Sequence, residues 1–547
     1  MKEFTPMLVT TLKGYNGSKL VKDIVAGVIV AIIALPLSIA LAIASGVGPE
    51  EGLYTAIIAG ALISIFGGSN VQIAGPTAAF ATIVAGVVAA SGMEGLVLAT
   101  VIAGILLLLM GIFKFGSLIK FIPYTITTGF TAGIAVTILI GQLKDFFGVS
   151  FGGKSPIEAP EKIAVFCDNI STINWWAVLV GTVSLLILIF WPKISKKIPA
   201  SLIAVIVGAV MVMLLPEGTE VQTIKSTFGE LSSKLPSFNL PKMDLALIRT
   251  VLPDAFTIAV LAAIESLLSC VVADGMTGHK HRSNMELIAQ GIGNVGSALF
   301  GGIPATGAIA RTAANINNGG KTPIAGIVHA VVLLLILVFL MPYAALIPMP
   351  TIAAILFQVA YNMSQWRPIV RLLKTAPKSD ILVLVLTFAL TVVFDLVVAI
   401  GVGIVLASIL FMKRMSEETA VYGWKYEQNE DDYYKLAEVP KAVRVFEISG
   451  PLFFGMTDRV ANITTKKYTK CLIIRMRSVP AVDATALNAL EDLCDNCAEK
   501  GITVIFSHLN EQPMQSFKKA GLYEKIGAEN FKAHIDEALE YAKSLCE

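Results

Sequence analysis

Gly75-Pro76-Thr77-Ala78-Ala79 and Pro304-Ala305-Thr306-Gly307-Ala308-Ile309-Ala310-Arg311 decide the fold. Each opens an apolar helix with small residues and a proline, and the two stand at matching places in the halves of a long hydrophobic region. A helix N-terminus carries unpaired N–H groups and the positive end of the helix dipole, so two half-helices whose starts face one another can hold an anion. Broken helices of this kind, one per half, are the plan of carriers built from inverted repeats. The second stretch adds Arg311, a fixed cation in apolar surroundings.

Composition agrees with a membrane setting. Hydrophobic residues make up 55% of the 547 and charged residues 15%, against about 25% charged in an average soluble protein. Mean hydropathy is +0.74. Apolar runs near or above the ~20 residues that cross a bilayer recur from Ile24 to Met412. The net charge of +2, with no basic tract, argues against a nucleic-acid partner. No nucleophile–base pair or metal cluster stands out, so neither an enzyme nor a cofactor is expected. The six cysteines lie scattered, and the single C-x-x-C, Cys494 and Cys497, falls on an amphipathic helix pattern where chance explains it better than redox chemistry.

Fourteen apolar segments are expected, centred near Ala34, Ile58, Val84, Leu106, Ala132, Leu185, Val207, Ile264, Ile292, Ala313, Leu335, Ala354, Leu386 and Val402. Basic residues cluster after even-numbered segments: Lys114 and Lys120, then Lys193, Lys196 and Lys197, then Lys280 and Arg282. Arg367, Arg371, Lys374 and Lys378 follow the twelfth segment, and Lys413 and Arg414 the last. The positive-inside rule then places both termini in the cytoplasm of a multi-pass inner-membrane protein. Lys13, Lys19 and Lys22 precede the first run, which lacks a cleavage site and reads as a retained helix. Seven segments per half is an odd number, so successive repeats must be inverted. Expected divisions are a segment 1–21, a transport domain 22–414, a charged linker 415–439 and an α/β domain 440–547, whose strands include Val443–Ile448, Cys471–Met476 and Gly501–Ser507 with a helix from Thr485 to Lys500.

Individual residues carry alternatives. Glu265 lies in an otherwise apolar segment, where an ionisable group costs ~2.5–3.5 kcal/mol on insertion scales and marks a functional site by default. Desolvation disfavours the charged acid, which suits proton uptake and release; the other reading is a permanent pair with Arg311. Arg311 either attracts the anion itself or neutralises Glu265. Thr77 and Thr306, beside the N–H groups of Ala78, Gly307 and Ala308, either bind the anion or cap helices, a role worth about 1 kcal/mol. Gln72, before the first break, is a further candidate, as are Ser269, Pro76 and Pro304. Asp23 and Asp254 are expected at the starts of segments one and eight, complementing helix dipoles. Asp395 is expected near an outer turn, and His279 and His281 in a solvated loop.

The stretches Ala34-Leu35-Pro36-Leu37-Ser38-Ile39-Ala40, Gly52-Leu53-Tyr54, Gly75-Pro76-Thr77, Ala263-Ile264-Glu265-Ser266-Leu267-Leu268, Val272-Ala273-Asp274-Gly275-Met276-Thr277, Gln290-Gly291-Ile292-Gly293-Asn294 and Pro304 to Arg311 together resemble the SulP anion transporters, the sulfate permease family. The C-terminal part resembles the STAS domain that those carriers bear. The resemblance implies a polytopic α-helical membrane protein of fourteen segments in two inverted seven-segment repeats, divided into a core and a gate, with half-helices as segments three and ten. It also implies alternating access and a homodimer. Within the family, Ala263–Leu268 followed by Asp274-Gly275-Met276-Thr277-Gly278 is most similar to carriers of C4-dicarboxylates such as succinate, fumarate and aspartate, with bicarbonate or sulfate as the alternative substrate and a membrane-tethered STAS receptor as the alternative function. Sodium-coupled bicarbonate members place Asp where this chain has Glu265, and a hydroxyl residue four positions on, here Ser269; symport with protons is therefore expected over sodium. In Val482-Asp483-Ala484-Thr485-Ala486, Ala484 stands where related regulators carry a phosphorylated Ser, and the resemblance points to dimerisation or to a cytosolic partner such as acyl carrier protein.

Overall fold

A computed structural model of the chain describes residues 2–117, 123–152, 156, 158–195, 198–216, 218–241, 244–394, 396–423, 439–456, 459–460, 463 and 465–546. Lys120, Lys196, Lys197, Asp395 and most of the expected linker lie outside these residues. The chain divides into two compact units, Met1–Ile404 and Val405–Glu547.

The first unit is helical: α1 Gly17–Ala44, α2 Pro49–Phe66, α3 Ala81–Ile112, α4 Tyr124–Phe147, α5 Trp175–Ile194, α6 Ala200–Leu214, α7 Leu245–Thr277, α8 Ser283–Leu299, α9 Ile309–Asn317, α10 Ile324–Ala344, α11 Met349–Met363 and α12 Lys378–Val393, followed by α13 Leu396–Glu418. Every expected centre falls in one of these helices. Helix α3 holds two of them, because Gly92, at φ 66°, turns the chain between its halves. Among the described residues, eight helices are long and apolar enough to cross a membrane. Large apolar side chains remain on the outside, Phe190, Leu214 and Phe339 among them. Water would make such a surface an aggregation hazard, whereas lipid is an equal solvent for it.

Helix packing forms two groups, in which α1, α2, α3, α7, α8, α9 and α10 pack together, and α4, α5, α6, α11 and α12 pack together. Small residues set the approach within each group, since lipid supplies no hydrophobic drive between helices. A Cβ on Gly104 of α3 would stand 2.8 Å from the Gly291 carbonyl oxygen of α8. In the second group a Cβ on Gly129 of α4 would stand 2.7 Å from the Leu384 carbonyl oxygen of α12.

Helix starts differ from the expectation. Asn16 caps α1 by accepting from Lys19 N–H, so Asp23 lies inside the helix and is fully buried. Asp244 caps α7, which leaves Asp254 well within it. Hydropathy locates the apolar middle of a helix but not its ends: α1 begins in the polar Gly17-Ser18-Lys19, whereas α7 begins in Leu245-Ala246-Leu247-Ile248, which Arg249, Pro253 and Asp254 separate from the longer apolar run.

The second unit is a five-stranded sheet of β3 Ala420–Gly423, β4 Val443–Ser449, β5 Cys471–Ser478, β6 Thr503–Ser507 and β7 Phe531–Lys532 in that order, with β3 antiparallel and the rest parallel. Helices α14 Ala484–Glu499 and α15 Glu511–Lys519 cover one face over Leu490, Phe506 and Phe517; α16 Ile535–Cys546 covers the other over Ile473 and Ile505. Burial on both faces explains why β5 reads as a continuous apolar run. Asp483 caps α14, accepting from Ala486 N–H at 2.8 Å. Cys494 and Cys497 face the core, and burial pushes the Cys494 thiol up to about 12 and that of Cys497 upward. Neither is a thiolate at neutral pH, as reactive redox pairs must be.

Candidate functional site

The two breaks meet. Strand β1, Ala74–Gly75, pairs antiparallel with β2, Thr306–Gly307, with Ala74 opposite Gly307 and Gly75 opposite Thr306. Ala308 N–H extends the ribbon by donating to the Ile73 carbonyl at 2.9 Å. Antiparallel pairing of equivalent stretches is what repeats of opposite topology produce. All four ribbon residues are buried, so each half satisfies the backbone that its proline left unpaired in the other.

Side chains from both halves pin this ribbon. Ile73 N–H donates to Thr312 Oγ1 at 3.0 Å, and Asn315 Nδ2 donates to the Val71 carbonyl at 2.8 Å. On the other side, Asn294 of α8 closes a two-way pair with Ala305, its amide donating to the carbonyl and its Oδ1 accepting from the N–H, both at 2.9 Å. Pro304 is thus buried beside a backbone held from both ends.

Beyond the ribbon the two half-helices begin. One starts with a 3-10 turn, Ala78–Phe80, that leads into α3; the other is α9. Neither the Thr77 nor the Ala308 start carries a side-chain cap. Helix capping therefore does not explain the two threonines. Thr77 Oγ1 instead donates to Glu265 Oε2 at 2.8 Å, and Thr306 Oγ1 donates to the Ala262 carbonyl at 3.0 Å, one turn earlier on the same helix α7. Ser269, a further turn on, reaches Thr312 Oγ1 at 3.3 Å. Helix α7 thus presents Ala262, Glu265 and Ser269 along one stripe to both breaks.

Arg311 crosses between the repeats. Its Nη2 donates to the Pro76 carbonyl at 3.1 Å, while Nε and Nη1 are buried with no partner among the described residues. At 1% exposure it heads the fully buried large side chains. No ion pair joins it to Glu265 among the described residues; the threonine of the first break, not the arginine, meets that carboxylate. A buried cation with unused donors, next to two uncapped helix starts, is a site with positive potential to spare.

Gly75 makes room for this cation. A Cβ there would stand 2.4 Å from Arg311 Nη1. Gly75→Ala is expected to displace the guanidinium and raise the transport KM for an anion several-fold. Gly86→Ala, at a position with nothing within 4 Å of the added Cβ, is expected to leave KM unchanged. An equal response of the two variants in proteoliposome uptake would refute the close fit.

Some polar residues escape notice in the sequence. Glu286 of α8 is fully buried and accepts from Gly68 N–H, Gln72 Nε2 and Gln290 Nε2 at 2.9, 2.8 and 2.9 Å. Gln72 is therefore engaged with a carboxylate rather than open to a ligand, and its Oε1 accepts from the Cys270 thiol at 2.8 Å. Asp23 accepts from Lys321 N–H, from the N–H and hydroxyl of Thr322, and from the Tyr15 hydroxyl. It ties α1 to the turn before α10 rather than serving a helix dipole. Burial, with Asp23 as hydrogen-bond partner, pushes Tyr15 up to about 12. His281 is no solvated loop residue, since its Nδ1 lies 2.7 Å from Asp274 Oδ2. The Glu286 signal is an acidic residue in the first turn of a helix, which in sequence reads as a dipole partner.

The model of the Sulfate permease family matches residues 20–387, and that of the STAS domain matches residues 434–538. The chain belongs to the sulfate permease family. Among its relatives is YvdB of Bacillus subtilis, named as a candidate sulfate transporter, 41% identical over 530 residues that cover 96% of this chain and 98% of YvdB. The bicarbonate transporter BicA of Picosynechococcus is 32% identical over 543 residues, covering 95% and 94%. Murine Slc26a9, an anion transporter solved in an inward-facing state, superposes with a TM-score of 0.88 over 99% of this chain and 94% of its own at 18% identity, which speaks for the fold alone. As a member of this permease family the chain is a membrane anion transporter and not an enzyme. The relatives are named for sulfate and bicarbonate, so the C4-dicarboxylate expectation rests on the Ala263–Gly278 resemblance alone.

Proposed function

We propose that the protein takes up a small inorganic oxyanion, bicarbonate or sulfate, together with protons. The observation that carries this reading is Arg311, buried with two nitrogens unpartnered beside the uncapped starts of two half-helices. The names of the relatives favour inorganic oxyanions over dicarboxylates. In this reading the anion lies against the Ala78 and Ile309 ends of the half-helices, with Thr77 and Arg311 at its margin. Glu265 takes a proton when the site opens outward, which removes a negative charge from beside the incoming anion. It releases the proton inward, and repulsion then helps to expel the anion. The ribbon-bearing group of helices moves against the group containing α4 and α11, carrying the site across the barrier.

Labelled bicarbonate, sulfate and succinate should be offered separately to proteoliposomes with an inward proton gradient, with and without sodium. Accumulation of bicarbonate or sulfate without sodium is the expected result. Accumulation of succinate alone would establish the dicarboxylate reading instead. A strict sodium requirement would remove the proton from the mechanism, and no accumulation of any of the three would overturn the proposal.

A further inference from the structure

We propose that Glu286 is a positioning residue of the anion site, acting through Gln72 on the ribbon and on the start of α9. This inference rests on the reading of the paired breaks as the anion site. A buried carboxylate is costly, and no lysine or arginine among the described residues lies within ion-pair distance of this one. Neutral donors meet its two oxygens instead, Gly68 N–H on Oε2 and the Gln72 and Gln290 amides on Oε1 among them, with the Ser69 N–H also directed at the carboxylate. A neutral side chain could fill this space at lower cost, so the charge needs a reason.

That reason lies in what an ionised carboxylate does to an amide. It can only accept, so the Gln72 side chain must turn its NH2 toward Glu286 and its oxygen toward the Cys270 thiol of α7. With the flip and plane of the amide set, Gln72 becomes a wedge under β2. A Cβ on Gly307 would stand 2.1 Å from Gln72 Nε2. Gly307 is the ribbon residue opposite Ala74, and the next residue, Ala308, donates into the ribbon and starts α9. Glu286 thus connects three elements through one side chain: the turn after α2 at Gly68, the ribbon at Gly307, and α7 at Cys270. Arg311 sits three residues beyond Ala308, within the first turn of α9, so its guanidinium depends on where that turn begins.

The test is a double-mutant cycle on uptake of labelled bicarbonate and of labelled sulfate. Glu286→Gln can offer its own NH2 to Gln72 and so frees the flip; it is expected to raise KM about tenfold with Vmax within about twofold, the scale of one disturbed buried hydrogen bond. Gln72→Ala should do the same, and the pair together should be no worse than either alone. The exchange Glu286→Gln with Gln72→Glu restores one acceptor and one donor across the gap, and should bring KM back to within about threefold of the native value. Glu286→Asp keeps the acceptor and should raise KM less than Glu286→Gln; where the amide variant fails to fold, Gln72→Ala reads the same path. An unchanged KM in Glu286→Gln or in Gln72→Ala, or fully additive effects, would overturn the assignment. Arg311→Ala and Thr77→Val belong in the same assay. If they leave KM unchanged, the anion-site reading itself fails; if they raise it while Glu286→Gln does not, only the role of Glu286 fails.

Discussion

Arg311→Ala is expected to weaken anion affinity by an order of magnitude or more. A hydrogen bond to a charged group contributes ~1.5–3 kcal/mol, and each ~1.4 kcal/mol is tenfold in an equilibrium constant. The whole cation is lost from a buried place where little solvent can substitute for it. Its Nη2 bond to the Pro76 carbonyl goes as well, which leaves the first break with an unpaired acceptor at the start of its half-helix. Arg311→Lys separates these effects. A lysine keeps the charge but not the planar fork, so it should restore part of the affinity if charge dominates and little if the bond to Pro76 does. Binding measured on detergent-solubilised protein reads affinity without the transport cycle. An unchanged affinity in the alanine variant would make Arg311 a purely structural bridge between the repeats.

Glu265→Gln is expected to retain anion binding while losing the response to a proton gradient. The amide is nearly isosteric, and its oxygen can still accept from Thr77 Oγ1, the bond that joins α7 to the first break at 2.8 Å. It cannot carry a proton across. One pH unit is worth ~1.4 kcal/mol per proton, so a carrier moving one proton per anion accumulates up to about tenfold per unit of gradient. That accumulation should vanish in the variant while exchange of labelled for unlabelled anion continues. The sign follows from the mechanism: uptake by the native protein rises as external pH falls, and the variant is flat. A variant that still concentrates the anion as external pH falls would place the coupling group elsewhere, and Glu286 would be the next buried carboxylate to test.

Much of this architecture is legible in the chain because membranes impose a simple code. An apolar run of sufficient length must be a helix, since an unpaired backbone in hydrocarbon is too costly, and the expected centres accordingly lie in helices. Gly-Pro-Thr and Pro-Ala-Thr-Gly interrupt those runs where Pro removes a donor, which marked both breaks. The three central strands of the C-terminal unit were equally readable, at Val443, Cys471 and, two residues after the expected Gly501, Thr503; the short edge strands Ala420–Gly423, in the expected linker, and Phe531–Lys532 were not. Helix ends were not readable at Asp23 and Asp254, because the polar first turn of α1 carries no hydropathic signal and Pro253, which α7 holds inside the helix, reads as a helix start.

Pairings between distant segments were beyond the reach of spacing. Glu265 and Arg311, the two charges in apolar surroundings, invited the inference of a pair, yet Thr77 meets the acid and Pro76 meets the base. Gln72 looked like a ligand for the substrate and is a partner of Glu286. The sequence by itself determined the membrane class, the two interrupted helices and the residues with chemistry near them, because burial in lipid constrains each segment independently. Tertiary structure alone decided that the breaks form one antiparallel ribbon and which donor meets which acceptor. Those contacts join residues some 190 to 240 positions apart, and their geometry depends on how whole helices pack.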